Sequence, residues 1–141
     1  MNLIETQTEI VNEIKLDFAT LQLQSDGILR IYLHDDCVLN RENVSLLHDT
    51  YKQICGEQKY LFLFEAGENV VYTKDDREFS KKHEHTQPSV KIAAVSQSLP
   101  YRMIVNFYLN FYKPAKPVRF FSNYEKAVDW LLEEEKERKE M

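Results

Sequence analysis

One short run, Tyr60-Leu61-Phe62-Leu63-Phe64, carries most of the information about the fold. It is unbroken, apolar and of strand length, which is too short for a typical helix. A strand with one solvent-exposed face would alternate apolar and polar residues, and this run does not. It therefore predicts a strand that is covered on both faces, as in an α/β sheet. A second run, residues 90–95 (VKIAAV), predicts another buried strand.

The residues before this strand predict a β-hairpin and a helix. Residues 18–24 and 28–33 are apolar-rich segments of strand length, joined by a turn at Ser25-Asp26-Gly27 in which glycine can adopt a positive φ. Asn40 is a typical helix N-cap and Gly56 a typical stop, so we expect a helix between them. Residues 5–16 fit either a short helix or an outer strand, because their apolar positions satisfy both periodicities.

The residues after the central strand predict three more helices and one more strand. Thr73, with Asp76 three residues on, resembles a capping box for a polar helix that ends near residue 85. A helix over 98–112 and a strand over 118–121 follow, and Asn123 can cap a final helix. Strands that alternate with helices in this way predict an α/β fold with a mostly parallel sheet of about five strands, opened by the β-hairpin.

Length and charge limit the classes of protein to consider. A chain of 141 residues has room for one domain. We expect an extension at 1–17, a domain at 18–132 and a charged helix end at 133–141. The net charge of −5 argues against a nucleic-acid partner, which would need a basic face. The two cysteines form no C-x-x-C pair, no secretory signal is evident, and no apolar run has the ~20 residues of a membrane span. These features favour a cytoplasmic protein.

From residue 18 to 132 the order of elements resembles the STAS fold of anti-sigma-factor antagonists and the SpoIIAA-like, STAS/Sec14-type bacterial proteins. The residues that carry the resemblance are the hairpin, residues 91–96 (KIAAVS), residues 102–111 and residues 119–131 (RFFSNYEKAVDWL). The resemblance implies a sheet with helices stacked mainly on one side. It also implies binding and switching activities, with no shared catalytic residues.

The chain departs from this family at the switch residue. Regulatory STAS domains carry a phosphorylatable serine in an Asp-Ser motif, at the start of the helix after the central strand. Residues 65–74 (EAGENVVYTK) contain no such pair. Thr73, at the start of the corresponding helix, is the nearest substitute and is our candidate regulatory phosphosite.

No group of residues indicates catalysis, and we expect no catalytic residues, no cofactor and no metal site. His83 and His85 lie two apart on a predicted helix end, whereas helical metal pairs prefer a spacing of four. Asp35 and Asp36 fall in a loop with no evident orienting partner, so we expect them to be solvated. Cys37 and Cys55 have no basic setting that would lower their pKa, and we expect both to be packed in the interior.

The predicted helix over 99–112 has more apolar surface than one face of a sheet requires. One face carries Met103, Ile104, Phe107 and Phe111, and an adjoining face carries a second, mainly aromatic set. Aromatic residues are enriched at protein interfaces, although packing against neighbouring elements would also explain them. The candidate interface residues are Tyr101, Arg102, Val105, Tyr108 and Tyr112.

Two functions are consistent with these features. The first is a non-enzymatic STAS-like regulatory or protein-interaction module that forms a homodimer, with a further protein as a candidate partner. The second is a carrier that binds a lipid or another small apolar molecule between the 99–112 helix and the sheet, as the Sec14-type resemblance implies.

Overall fold

A computed structural model of the chain describes residues 8–73, 88–96 and 117–140. Within these ranges it contains a six-stranded sheet, a two-stranded sheet and two helices. The helices are α1 (Arg41–Cys55) and α2 (Tyr124–Glu140). The strands are β1 (Ile10–Lys15), β2 (Ala19–Gln24), β3 (Ile28–Leu33), β4 (Val38–Leu39), β5 (Tyr60–Ala66), β6 (Val71–Tyr72), β7 (Ser89–Val95) and β8 (Val118–Phe121).

The main sheet has the strand order β1-β2-β3-β5-β7-β8. Both pairs among β1, β2 and β3 are antiparallel, and the pairs from β3 through β8 are parallel. The five predicted strands all belong to this sheet. The expected count of five is one too low, because residues 10–15, which fit two interpretations, form the outer strand β1. The sheet is therefore less parallel than expected, and β1 rather than the hairpin strand β2 lies at its edge.

Helix α1 begins and ends where its capping residues predict. The Asn40 side chain accepts a hydrogen bond from the backbone N–H of Asn43 at 2.9 Å, which satisfies one of the free donors of the first turn. Gly56 has a φ of 64°, and its N–H donates to the carbonyl of Lys52. A residue with a side chain would be strained at this φ, so glycine ends the helix there.

The two described helices cover opposite faces of the main sheet. Phe62 and Phe64 pack in the core beneath α1, whereas their neighbours Leu61 and Leu63 pack with residues of α2. This two-sided burial is the reason that residues 60–64 of β5 form an unbroken apolar run. Of the four predicted helices the structure describes these two, and they lie on opposite faces of the sheet.

A buried lysine lies between β7 and α2. Lys91 is 2% exposed, and its Nζ atom donates to the backbone carbonyls of Trp130 and Leu131. The same atom lies 3.9 Å from the centroid of the Trp130 ring, in a cation–π arrangement. Carbonyl oxygens and a ring face are favourable surroundings for an ammonium group, so Lys91 tethers α2 to the sheet.

Candidate functional site at the carboxyl ends of the central strands

Two loops meet at the carboxyl end of the parallel part of the sheet. One follows β3 and the other follows β5, which is paired with β3. In open α/β sheets this end is where ligands and partners usually bind. We refer to residues 34–39 and 67–73 together as the loop surface.

Backbone and carboxylate hydrogen bonds join the two loops. The N–H of Gly67 donates to the carbonyl of Leu33 at 2.7 Å, and the N–H of Asp36 donates to the carbonyl of Glu68 at 2.7 Å. The Asp35 carboxylate accepts from the N–H of Glu68 at 2.8 Å. Asp35 is exposed to solvent, as expected, but it also has an orienting partner, which the sequence did not reveal.

Gly67 lies where the loops approach each other most closely. A Cβ atom built on Gly67 would lie 2.3 Å from Oδ1 of Asp35 and 2.8 Å from its backbone nitrogen. The second contact is with main chain, which cannot rotate away, so a side chain at this position would force the loops apart. Asp36 and Asn69 adopt positive φ values of 63° and 59°, which these residue types tolerate, and the Asn69 amide donates to the Asp36 carboxylate at 3.2 Å.

The two short strands β4 and β6 continue this junction as a parallel pair with two different faces. The N–H of Val71 donates to the carbonyl of Cys37 at 2.9 Å. Cys37, Leu39 and Val70 are buried in the core beneath α1. Val38 and Val71, which lie opposite each other in the register, are 40% and 49% exposed. The outer face of the loop surface is therefore an apolar pair on a backbone that is already hydrogen-bonded.

The side chains near the loop surface are poorly suited to covalent or metal chemistry. Both cysteines are buried and free, as expected, and burial raises the pKa of the Cys37 thiol to about 11. A thiol with this pKa is protonated at neutral pH and is a weak nucleophile. Within residues 8–73, 88–96 and 117–140, no group of three or more histidine, cysteine or carboxylate side chains is arranged to hold a metal ion.

Of the candidate site residues, Thr73 is the one that the structure describes. It follows β6 and is half-buried, and its N–H donates to the carbonyl of Leu39 at 3.3 Å. It therefore ends the loop surface, two residues after Val71. The helix that it is predicted to cap lies outside the described residues, so the capping role stays a prediction.

The candidate interface lies outside the described residues. This applies to Tyr101, Arg102, Val105, Tyr108 and Tyr112, and to the 99–112 helix as a whole. The predicted dimer contact and the predicted apolar ligand site both depend on this segment, so both stay predictions. The same holds for His83 and His85.

A polar cluster on the α2 face, which the sequence pattern did not reveal, joins the start of α2 to the sheet. Arg30 of β3 forms an ion pair with Glu65 of β5, and its guanidinium carbon lies 4.6 Å from the centroid of the Tyr124 ring. Burial raises the pKa of Tyr124 and also that of nearby Asp26. The sequence did contain a signal for this cluster. Arg30 and Glu65 are charged residues inside predicted strands, and such residues are seldom buried without a partner.

The fold is SpoIIAA-like, as the resemblance implied. The chain is similar to the crystal structure of an uncharacterized protein from the DUF3478 family with a SpoIIAA-like fold, from Shewanella loihica PV-4. The TM-score is 0.53 at 12% sequence identity, and the match covers 88% of this chain and 93% of that chain. At this identity the likeness concerns the fold alone.

The family follows from the sequence itself. The model of a domain of unknown function, DUF7793, matches residues 21–135, and the chain belongs to this family. A protein with unknown function from Arthrobacter sp. FB24 is 22% identical over 79% of this chain and 97% of that chain, but its TM-score of 0.27 is too low to inform the fold. Comparison with the curated proteins found no match. No helix among the described residues is long and apolar enough to cross a membrane.

Proposed function

We propose that the chain is a non-enzymatic regulatory or protein-interaction module, and that its loop surface contacts a protein partner. The observation that carries the proposal is the outward pair of Val38 and Val71, whose chain neighbours Cys37, Leu39 and Val70 are buried in the core. Exposed apolar side chains that lie singly need no explanation, but two that are paired across a fixed backbone form a small contact area.

The hydrogen bonds within the loop surface support this role. A loop that must be ordered on binding reduces the affinity by the entropy that it loses. Here the two loops are already joined by backbone and carboxylate bonds, and Gly67 allows their close approach. A partner would therefore meet a surface that needs little rearrangement.

The same bonds argue against catalysis at this edge. In α/β enzymes the carboxyl ends of the strands carry the groups that act on the substrate. In this chain Asp35 and Asp36 hold the neighbouring loop. Cys37 is protonated and buried. Within the two described loops, these two aspartates and the cysteine are thus engaged in maintaining the loop surface.

Thr73 is the proposed site at which phosphorylation regulates partner binding. It ends the loop surface close in sequence to Val71, so a phosphate there would place about two negative charges beside the apolar pair. Such a charge disfavours an apolar contact and would reduce partner binding. Phosphopeptide mapping of the protein from its native cells tests this role. If the mapping covers Thr73 and never finds it phosphorylated, the regulatory role of Thr73 is excluded.

Site-specific photocrosslinking in the native cell tests the loop surface. A photoreactive amino acid at Val71 should give a discrete crosslinked species. The same residue at Leu46, which is similarly exposed (44%) on α1, should not. Val71→Glu, with the crosslinker moved to Val38, should abolish the species without unfolding the domain. Equal crosslinking at Val71 and Leu46 would contradict the proposal.

A further inference from the structure

Strand β1 is the outermost strand of the main sheet, and its far edge pairs with no other described strand. It is also unusually open to solvent. Ile10 and Val11 are 53% and 64% exposed, and the side chain of Lys15 is 73% exposed. An exposed edge strand presents unpaired backbone groups on which another strand can add.

The register shows which backbone groups face outward. At the β1–β2 turn the N–H of Leu16 donates to the carbonyl of Ala19 at 2.7 Å, so Leu16 bonds inward. The register continues with Lys15 opposite Thr20 and Ile14 opposite Leu21. In an antiparallel pair, residues alternate between bonding to the partner strand and facing away from it. Glu13 and Lys15 therefore direct their N–H and C=O groups to the outer edge, which no other described strand covers.

The side chains of the same two residues carry opposite charges on one face of β1. The Nζ atom of Lys15 lies 3.9 Å from Oε1 of Glu13. If a second β1 runs antiparallel and is centred on Ile14, Glu13 lies opposite the partner's Lys15 and Lys15 lies opposite the partner's Glu13. Each outward residue then meets an outward residue of opposite charge.

We propose that two copies of this chain associate through their β1 edges, antiparallel and about a two-fold axis at Ile14. Four main-chain hydrogen bonds and two cross-strand ion pairs would form, because each contact occurs twice. Backbone pairing at a sheet edge is a common mode of recognition. A second copy of the chain fits this edge because its Glu13 and Lys15 would lie opposite residues of the other charge. The proposal does not depend on the loop surface or on the aromatic 101–112 segment.

A side chain of β1 competes with this pairing. Oδ1 of Asn12 accepts a hydrogen bond from the N–H of Glu13 at 2.8 Å, and this N–H is one of the outward donors. The register is also irregular between Ile10 and Asn12, which limits regular pairing to the end of β1 that contains Glu13 and Lys15. The contact is short and its formation breaks one bond, so we expect a dissociation constant on the order of 100 µM.

Sedimentation equilibrium of the full chain, from about 10 µM to 1 mM, tests the proposal. The unmodified chain should form a reversible dimer. Lys15→Glu should weaken the dimer at least about tenfold, because it places like charges opposite each other. Lys59→Glu, which makes the same change of charge at an exposed position outside β1, should leave the association unchanged. Circular dichroism of each variant controls for folding.

Two further variants distinguish this contact from other dimers. Glu13→Lys combined with Lys15→Glu restores opposite charges across the axis and should restore association to within about threefold of the unmodified chain. Asn12→Ala removes the competing acceptor and should strengthen association severalfold. A monomer at 1 mM overturns the proposal. So does a dimer that is insensitive to Lys15→Glu but is dissociated by Tyr108→Glu.

Discussion

The loop surface and the β1 edge are two exposed regions of the molecule whose backbone hydrogen-bonding groups are directed in opposite ways. In the loop surface, donors such as the N–H groups of Gly67 and Val71 are bonded to the neighbouring loop or strand. At the β1 edge, Glu13 and Lys15 direct such groups outward. The difference indicates what each region can recognise. The loop surface offers apolar side chains on a fixed backbone, whereas β1 offers the backbone itself.

The largest expected effect concerns the thiol beneath the loop surface. Folding raises the pKa of Cys37 from 9.0 to about 11, which lowers the thiolate fraction at pH 8 by about 100-fold. The more basic thiolate is a somewhat better nucleophile, but burial of Cys37, which is 4% exposed, also keeps the reagent away. In a Cys55→Ala background, Cys37 should therefore react with a disulfide reagent at least ~100-fold more slowly when folded than when denatured. Rapid reaction of the folded protein would show that the loop surface opens readily.

The same pKa shift predicts a dependence of stability on pH. Because the folded state holds the thiol proton more tightly, this contribution to the free energy of unfolding is fully present below about pH 9 and decreases as the pH rises toward 11. Urea unfolding at pH 8 and pH 10.5 should therefore show a larger loss of stability for the unmodified chain than for Cys37→Ala. An equal loss in both proteins would contradict the burial of this thiol.

Gly67→Ala should destabilise the fold by forcing apart the two loops of the loop surface. The added Cβ would overlap both the side chain and the backbone of Asp35, and we expect a loss of about 2 kcal/mol. Chemical denaturation measures this value. Adding Asp35→Ala removes the closer of the two contacts, so the double variant should lose less than the sum of the single losses. A loss below about 0.5 kcal/mol would mean that the loops separate at little cost.

Asp35→Ala should have a smaller effect. It removes the carboxylate that accepts from the N–H of Glu68, and a hydrogen bond of this kind contributes about 1 kcal/mol when the donor is exposed. Asp35→Asn keeps an acceptor oxygen at the same position and should retain at least half of this stability. If the two variants are equally destabilised, the hydrogen bond is not what joins the loops.

Substitutions on β1 should have the smallest effect on the free energy of unfolding of the monomer. Val11 is largely exposed, so Val11→Thr should change the free energy of unfolding by less than about 0.5 kcal/mol at low protein concentration. A cost as large as that of Gly67→Ala would show that Val11 is packed against another part of the molecule, and that the β1 edge is not free.

The parts of the fold that could be predicted from the sequence depend on short-range rules. The Asn40 cap and the Gly56 stop are local, and the structure shows both. The turn before β3 is also local: Gly27 has a φ of 87°, and the Asp26 carboxylate accepts from the N–H of Ile28. In each case the residue type is required by the backbone geometry at that position.

The parts that could not be predicted depend on contacts between distant residues. Asp35 and Glu68 are 33 positions apart, and only the parallel pairing of β3 with β5 brings their loops together. Strands β4 and β6 have two residues each, too few to show a period. The face of the sheet that α2 covers is likewise not encoded in the spacing of its own apolar residues.

Amide hydrogen exchange by NMR, recorded on the full chain at low and high protein concentration, tests the central claim most directly. The claim is that the chain itself completes the bonds of the loop surface, whereas a second copy completes those of the β1 edge. The amides of Gly67 and Val71 should be protected equally at 20 µM and 1 mM. The amide of Lys15 should exchange freely at 20 µM and become protected at 1 mM. Free exchange at Gly67 and Val71, or an unchanged rate at Lys15, would contradict this account.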